Sequence, residues 1–240
     1  MLNRFILIVA ICVGGFLPAL ADAPLTVDGI TEPFMDVQLG FADAGIIRQQ
    51  FFHEGDVINK GDVILELDKN LEVLEVQRRK AVMEQNKMIF ESTSELFKST
   101  KSISKEDLSK AQSDYDVSAA DYSIAVQQLA NRQLVAPFSG SIVEILLKPG
   151  AAVAPYQPLV RLVDTSRCYF VGHVDGRNVS SLQLDEPVQI QVDGGQMASG
   201  KICFISPVVD AASGLARIKA VFDNAEGKIH PGMAATMTAQ

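Results

Sequence analysis

The sequence predicts a mostly β protein with an α-helical coiled-coil hairpin inserted between the two halves of a small β-sandwich. Three observations lead there. A short β unit is written twice, "GIIRQQFFHEGDVINKGDVILEL" from Gly45 and "GSIVEILLKPGAAVAPYQPLVRL" from Gly140. Both copies punctuate strand-like residues with turn chemistry, "HEGD" and "NKGD" in the first, "KPGA" and "APYQP" in the second. Between them, residues 69–133 contain neither Gly nor Pro and are dominated by helix formers.

The composition sets bounds. The chain has 240 residues, is 48% hydrophobic and 21% charged, and carries a net charge of −8. That is ordinary globular usage. No Lys/Arg cluster is present to neutralise phosphates, so no nucleic-acid partner is expected. His53, His173 and His230 are scattered and form no HExxH or Cys/His metal set. There is no GxSxG elbow and no phosphate loop, so the sequence predicts neither an enzyme nor a cofactor site. Cys12 falls in the leader, which leaves Cys168 and Cys203; an oxidising compartment would permit a bridge, and spacing alone does not show whether their Cα atoms approach.

The elements follow in chain order. Arg4, the apolar run "FILIVAICVGGFL" and "ALA" at 19–21 read as an export signal over residues 1–21, cleaved before Asp22. No later stretch is long and apolar enough to cross a bilayer. Residues 22–44 include "FMDVQLGF", which alternates Met35, Val37, Leu39 and Phe41 against polar or small neighbours, as a strand does; the segment is expected to add a strand to a C-terminal β domain or to continue into the first β unit. Residues 45–68 are the first β unit and 134–164 the second. A constant shift of 95 pairs Ile47 with Ile142, Phe51 with Leu146, Ile58 with Val153, Ile64 with Leu159 and Leu67 with Leu162. Neither copy has enough strands to bury its own face, so the two should pair.

Residues 69–133 read as two helices joined by the polar "KSTKSIS". In the second helix Leu108, Ala111, Tyr115, Ser118, Tyr122, Ala125 and Leu129 keep a heptad rhythm. In the first, the expected seam is Leu74, Val82, Ile89 and Leu96. Ser104, followed by Asp107, reads as a helix N-cap. Each arm would be about 40 Å long and would project, because so narrow a seam buries little.

The paired motifs "EGDVINKGDVILELD" and "VAPFSGSIVEILLKPGAAV" resemble the split biotinyl/lipoyl domain of bacterial periplasmic adaptor proteins, the membrane fusion proteins of the HlyD/RND family. "GKICFISPVVDAASGLARIKAVFDNAEGKIHPGMAATM" is similar to that family's β-barrel. The resemblance implies a split lipoyl-like β-sandwich plus a small β-barrel over residues 165–240, with the family's membrane-proximal domain absent. It also implies an adaptor in the periplasm, associated with the inner membrane, that links an inner-membrane transporter of RND or ABC type to an outer-membrane channel and packs as a homo-oligomeric ring. Docking to the channel would fall on the hairpin tip, at Phe97, Lys98, Lys101 and Ser104. Thr93 stands where one subgroup carries Arg. Two other readings stay open: a carrier with its group on Lys69, near the position that lipoyl and biotinyl domains modify, and an envelope interaction module without transport.

Overall fold

The computed structural model describes residues 24–99 and 102–239; the export signal expected at 1–21 and the tip residue Lys101 lie outside them. Twelve strands and two long helices follow in order: β1 (Thr26–Leu39), β2 (Gly45–Gln50), β3 (Val57–Ile58), β4 (Val63–Leu67), α1 (Asn70–Ser99), α2 (Lys105–Ala130), β5 (Gln133–Val135), β6 (Gly140–Ile145), β7 (Ala152–Val153), β8 (Val160–Asp175), β9 (Pro187–Val192), β10 (Gln196–Ile205), β11 (Leu215–Asp223) and β12 (Ala234–Ala239). No described helix is long and apolar enough to cross a membrane.

Six strands close a barrel in the order β1-β12-β9-β10-β11-β8, and β1 returns to β8 to complete it. Closure removes the open sheet edges. Val27, Phe170, Ile190, Ile202, Ile218, Phe222 and Met237 fill the interior, alternating with exposed residues along each strand. Gly29 and Gly172 face each other across the β1–β8 pair. A side chain on Gly29 would come within 2.7 Å of the Phe170 ring, so two glycines make room for one large aromatic. Cys168 is buried, Cys203 is exposed, and both are free thiols.

β1 and β8 are long because they serve two cores. Their antiparallel pairing runs through the barrel from Gly29–Gly172 to Pro33–Cys168, slips at a bulge between Pro33 and Met35, and continues to Leu39–Val160. Past the bulge, β8 pairs with β6 and β6 with β3. Opposite them lies a second sheet, β5-β4-β2-β7. Phe41, Ile47, Ile58, Ile64, Leu67, Ile142, Leu159 and Leu162 pack between the two. The segment before the first repeat therefore contributes to both the barrel and the sandwich.

The repeat is visible bond by bond. Gly55 donates its backbone N–H to Ile142 O, and Gly150 donates to Ile47 O. Phe51 donates to Ile64 O, and Leu146 to Leu159 O. Gly61 donates to Ala136 O at 2.9 Å, and Tyr156 to Phe41 O at 2.7 Å. Every pair is related by the same shift of 95, with the two copies exchanging bonds about a pseudo-twofold axis. The equivalence explains a strained residue. Gly61 has φ +96°, and Tyr156, its counterpart, is held at φ +58°.

Candidate functional site

α1 and α2 run antiparallel. Arg79 is paired with Asp121, Asn86 Nδ2 donates to Asp114 O at 3.2 Å, and the Phe90 and Tyr115 rings stack with centroids 6.1 Å apart. The ends are capped as local chemistry requires. Asp68 accepts the Asn70 N–H ahead of α1. Ser104 Oγ accepts the Asp107 N–H at 3.0 Å and donates to the Asp107 carboxylate at 2.7 Å, which satisfies an orphan donor of the first turn of α2. Beyond their root, the described parts of the helices pack on each other and on no other element to any extent.

On α2, Ala111, Ser118 and Ala125 are buried, and Leu108, Tyr115, Tyr122 and Leu129 are half-buried. On α1 the expected seam is corrected. Leu74, Val82, Ile89 and Leu96 are 43–60% exposed. The inward row is instead Val76, Met83, Phe90 and Phe97, with Arg79, Asn86 and Thr93 between them, all half-buried. The physical reason is complementarity of size. The small Ala111, Ser118 and Ala125 of α2 leave room for large side chains opposite, and Phe90 lies flat on Tyr115. A reading that favours Leu, Ile and Val passes over a row containing Arg79 and Asn86, although Arg79 earns its place through Asp121.

At the tip, Phe97 continues the inner row, Lys98 is exposed in the last turn of α1, and Ser104 is exposed but engaged as a cap. Thr93 Oγ1 donates to Ile89 O at 2.7 Å on the same helix.

The root is polar and crowded. Arg132, after α2, reaches Glu72 Oε1 at 2.6 Å, with side chains only 20% and 18% exposed, and donates to Ala44 O at 2.8 Å. It thereby joins α1, α2 and the loop before β2. Glu66, buried at the end of β4, accepts from Lys69 Nζ at 2.5 Å and from Gln133 Nε2 at 3.0 Å. Burial works to raise the Glu66 carboxyl, but the hydrogen bonds from Lys69 and Gln133 and the charges of Lys69 and Arg48 hold it below the ordinary carboxylate value. Lys69 sits immediately before α1, bound to Glu66, and not at the apex of a tight turn. No sequence motif pointed to Arg132, Glu72 and Glu66. Apart from Lys69, three residues after Glu66, their partners are distant in sequence or are backbone atoms, so spacing gave little signal. Among the described residues, no three His, Cys, Asp or Glu side chains are grouped as metal ligands.

The barrel and the full fold have counterparts. Residues 173–240 match the CusB-like β-barrel domain family. An uncharacterised protein of Haemophilus influenzae is 25% identical over 208 residues, which make up 85% of this chain and 54% of that protein. The chain thus spans about half the length of that relative. A MacA–MexA chimera containing the Pseudomonas aeruginosa MexA α-hairpin domain aligns with a TM-score of 0.78 at 17% identity, covering 90% of this chain and 78% of its own. The membrane fusion protein Spr0693 of Streptococcus pneumoniae R6 aligns at 0.70 with 15% identity, covering 90% and 98%. At these identities the structural likeness is one of fold, shared with membrane fusion proteins, and the family match is to the barrel: residues 173–240 form a CusB-like β-barrel domain.

Proposed function

We propose that this protein is an efflux or secretion adaptor in the periplasm, where it links an inner-membrane transporter of RND or ABC type to an outer-membrane channel. One observation carries the reading. A 30-residue helix, about 45 Å long, and its antiparallel partner interrupt the sandwich, and beyond their root their described residues pack on each other. Such a pair adds little to the core of this chain, so its outer surface serves something outside it. In this reading residues 1–21 are the export signal, 69–133 form a coiled-coil hairpin, and 45–68 with 134–164 form a split lipoyl-like domain. The tip around Lys98, Lys101 and Ser104 meets the channel, and the barrel side meets the transporter. Copies of the chain assemble side by side. A carrier role for Lys69 is disfavoured by its 2.5 Å bond to Glu66, which ties down the amine that would have to swing.

The test is to replace residues 98–104 with a Gly-rich turn. The protein should still be exported and folded and should still copurify with its transporter. Channel association and transport should be lost together. Transport that survives the replacement would refute the adaptor role assigned to the hairpin.

A further inference from the structure

One stretch of the barrel escapes its closure. β10 pairs with β9 from Gln196–Val192 to Lys201–Pro187, but its pairing with β11 starts only at Gly200–Phe222. Gln196, Met197, Ala198 and Ser199 therefore have a neighbouring strand on one side alone. Alternation shows which backbone groups are left open. Ile202 donates its N–H to Glu186 O and accepts from Asp185 N–H, so its groups point to the β9 side. The register against β9 runs unbroken from 196 to 201, so Lys201, Ser199 and Met197 point the other way. Lys201 meets Val221 of β11. Met197 meets no strand there, and its N–H and C=O have no hydrogen-bond partner among the described residues.

Opposite this edge the chain turns away. After Asp223, Asn224 donates its N–H to Ser166 O. Its buried side chain donates to Thr165 O at 2.9 Å and to Ile229 O at 2.8 Å, and accepts from Ile229 N–H at 3.1 Å. This clamp holds the 224–229 loop to the β8 side, away from β10. A cleft of about 480 Å³ lies between the loop and the edge. Gln196 lines it, and the buried Oε1 of that residue has no hydrogen-bond partner.

An open edge in water is usually blunted by Lys, Pro or a bulge. This one presents Gln196, Met197, Ala198 and Ser199, with Met197 63% exposed. Such an edge takes an added strand, whose backbone supplies the missing hydrogen bonds. Charge selects the strand. Asp193, in the turn before β10, and Asp223, at the end of β11, flank the edge, and neither forms an ion pair among the described residues. The nearby cations are engaged elsewhere: Lys228 is paired with Glu226, and Arg167, opposite Asp223 in the ladder, lies 3.6 Å over the Phe34 ring.

We infer that the β10 edge at Gln196–Ser199 is a docking slot for an extended segment of a partner protein that carries Lys or Arg. The added strand bonds to Met197, continues the sheet past the point where β11 leaves it, and sets its cations against Asp193 and Asp223. The inference goes beyond the adaptor reading and does not rest on it.

The experiment uses the full chain and a synthetic heptapeptide of alternating Lys and Val with both ends blocked, at about 1 mM, the affinity range of a short strand. Hydrogen exchange over residues 196–199 is followed with and without it. The peptide should slow this exchange about tenfold. The same peptide with Glu in place of Lys should not, nor should the Lys peptide N-methylated at alternate residues. Met197→Pro removes the open N–H and leaves the β9 ladder intact, as Pro does on an edge. It should melt like the parent and fail to bind the labelled Lys peptide in fluorescence anisotropy. No slowing by the Lys peptide overturns the slot. Equal slowing by the Glu peptide overturns the charge assignment. Slowing that grows with protein concentration alone gives the edge to a second copy and overturns the basic partner. Undiminished binding to Met197→Pro overturns the strand pairing. Should that variant not fold, undiminished binding of the N-methylated peptide to the parent overturns it equally. Transport after the tip replacement is read separately and bears only on the adaptor reading.

Discussion

Replacing Tyr156 with Gly should stabilise the sandwich, although it deletes a large aromatic side chain. Tyr156 has φ +58° and is 80% exposed. Its counterpart, Gly61, makes the equivalent backbone bond at φ +96°. An L-residue in the left-handed region costs roughly 1–2 kcal/mol. Gly removes that strain but loses more backbone freedom on folding, about 0.5–1 kcal/mol. With little side-chain burial to lose, the net gain is about 0.5–1 kcal/mol, or about 1–4 °C in melting midpoint for a chain of this size. The reciprocal change, Gly61→Ala, isolates the strain, because an added Cβ there meets nothing within 4 Å. It should cost about 1 kcal/mol. Calorimetric melting of both variants against the parent decides the matter. A lower midpoint for Tyr156→Gly, or an unchanged one for Gly61→Ala, would refute the claim that these two positions share one backbone conformation.

Two further outcomes are expected. Phe90→Asp puts a charge into the helix seam beside Tyr115 and should cost about 2 kcal/mol or more, with loss of helical signal. Ile89→Asp, one residue away on the outer row, should leave the melting of the isolated monomer nearly unchanged, and equal losses of helicity would contradict the seam. Because the folded-state Glu66 carboxyl lies below its ordinary value, folding favours the ionised form, so this stabilisation is present above the ordinary carboxylate range and is lost as pH falls through the folded value. The melting difference between the parent and Glu66→Gln should therefore be constant near neutrality and vanish in acid; a difference that widens on acidification would reverse the sign.

The sandwich could be read from the sequence because it is encoded twice. Two stretches obeying one shift need the same turns and the same buried positions, and the exchanged bonds of Ile47 and Ile142 follow from that. The Ser104 cap was equally legible, since its partner lies three residues away. The barrel was not. Alternation marks β8, β9, β11 and β12 as strands, but closure depends on β1 meeting β8 across more than 130 residues of chain. Nor does alternation show that the same two strands, slipped by one bulge at Pro33, build a second core. Pro33 lacks an N–H to give to a ladder, and the pairs around the slip carry the continuity: Phe34 stacks on Tyr169 with Arg167 3.6 Å above its ring, and Asp36 holds Arg161 at 2.9 Å.

The helices show a different limit. α2 offers one sustained row of small and apolar residues, from Leu108 to Leu129, and that row faces inward, although Val117 and Ile124 stand exposed outside it. α1 offers two with nearly the same period, and periodicity cannot rank them. The purely aliphatic row, Leu74, Val82 and Ile89, looks the better seam by hydrophobicity alone. What decides against it is shape and charge on the partner: the small inner residues of α2, the Tyr115 ring and the Asp121 carboxylate together select Arg79, Met83 and Phe90. The residues that lose this competition are left exposed.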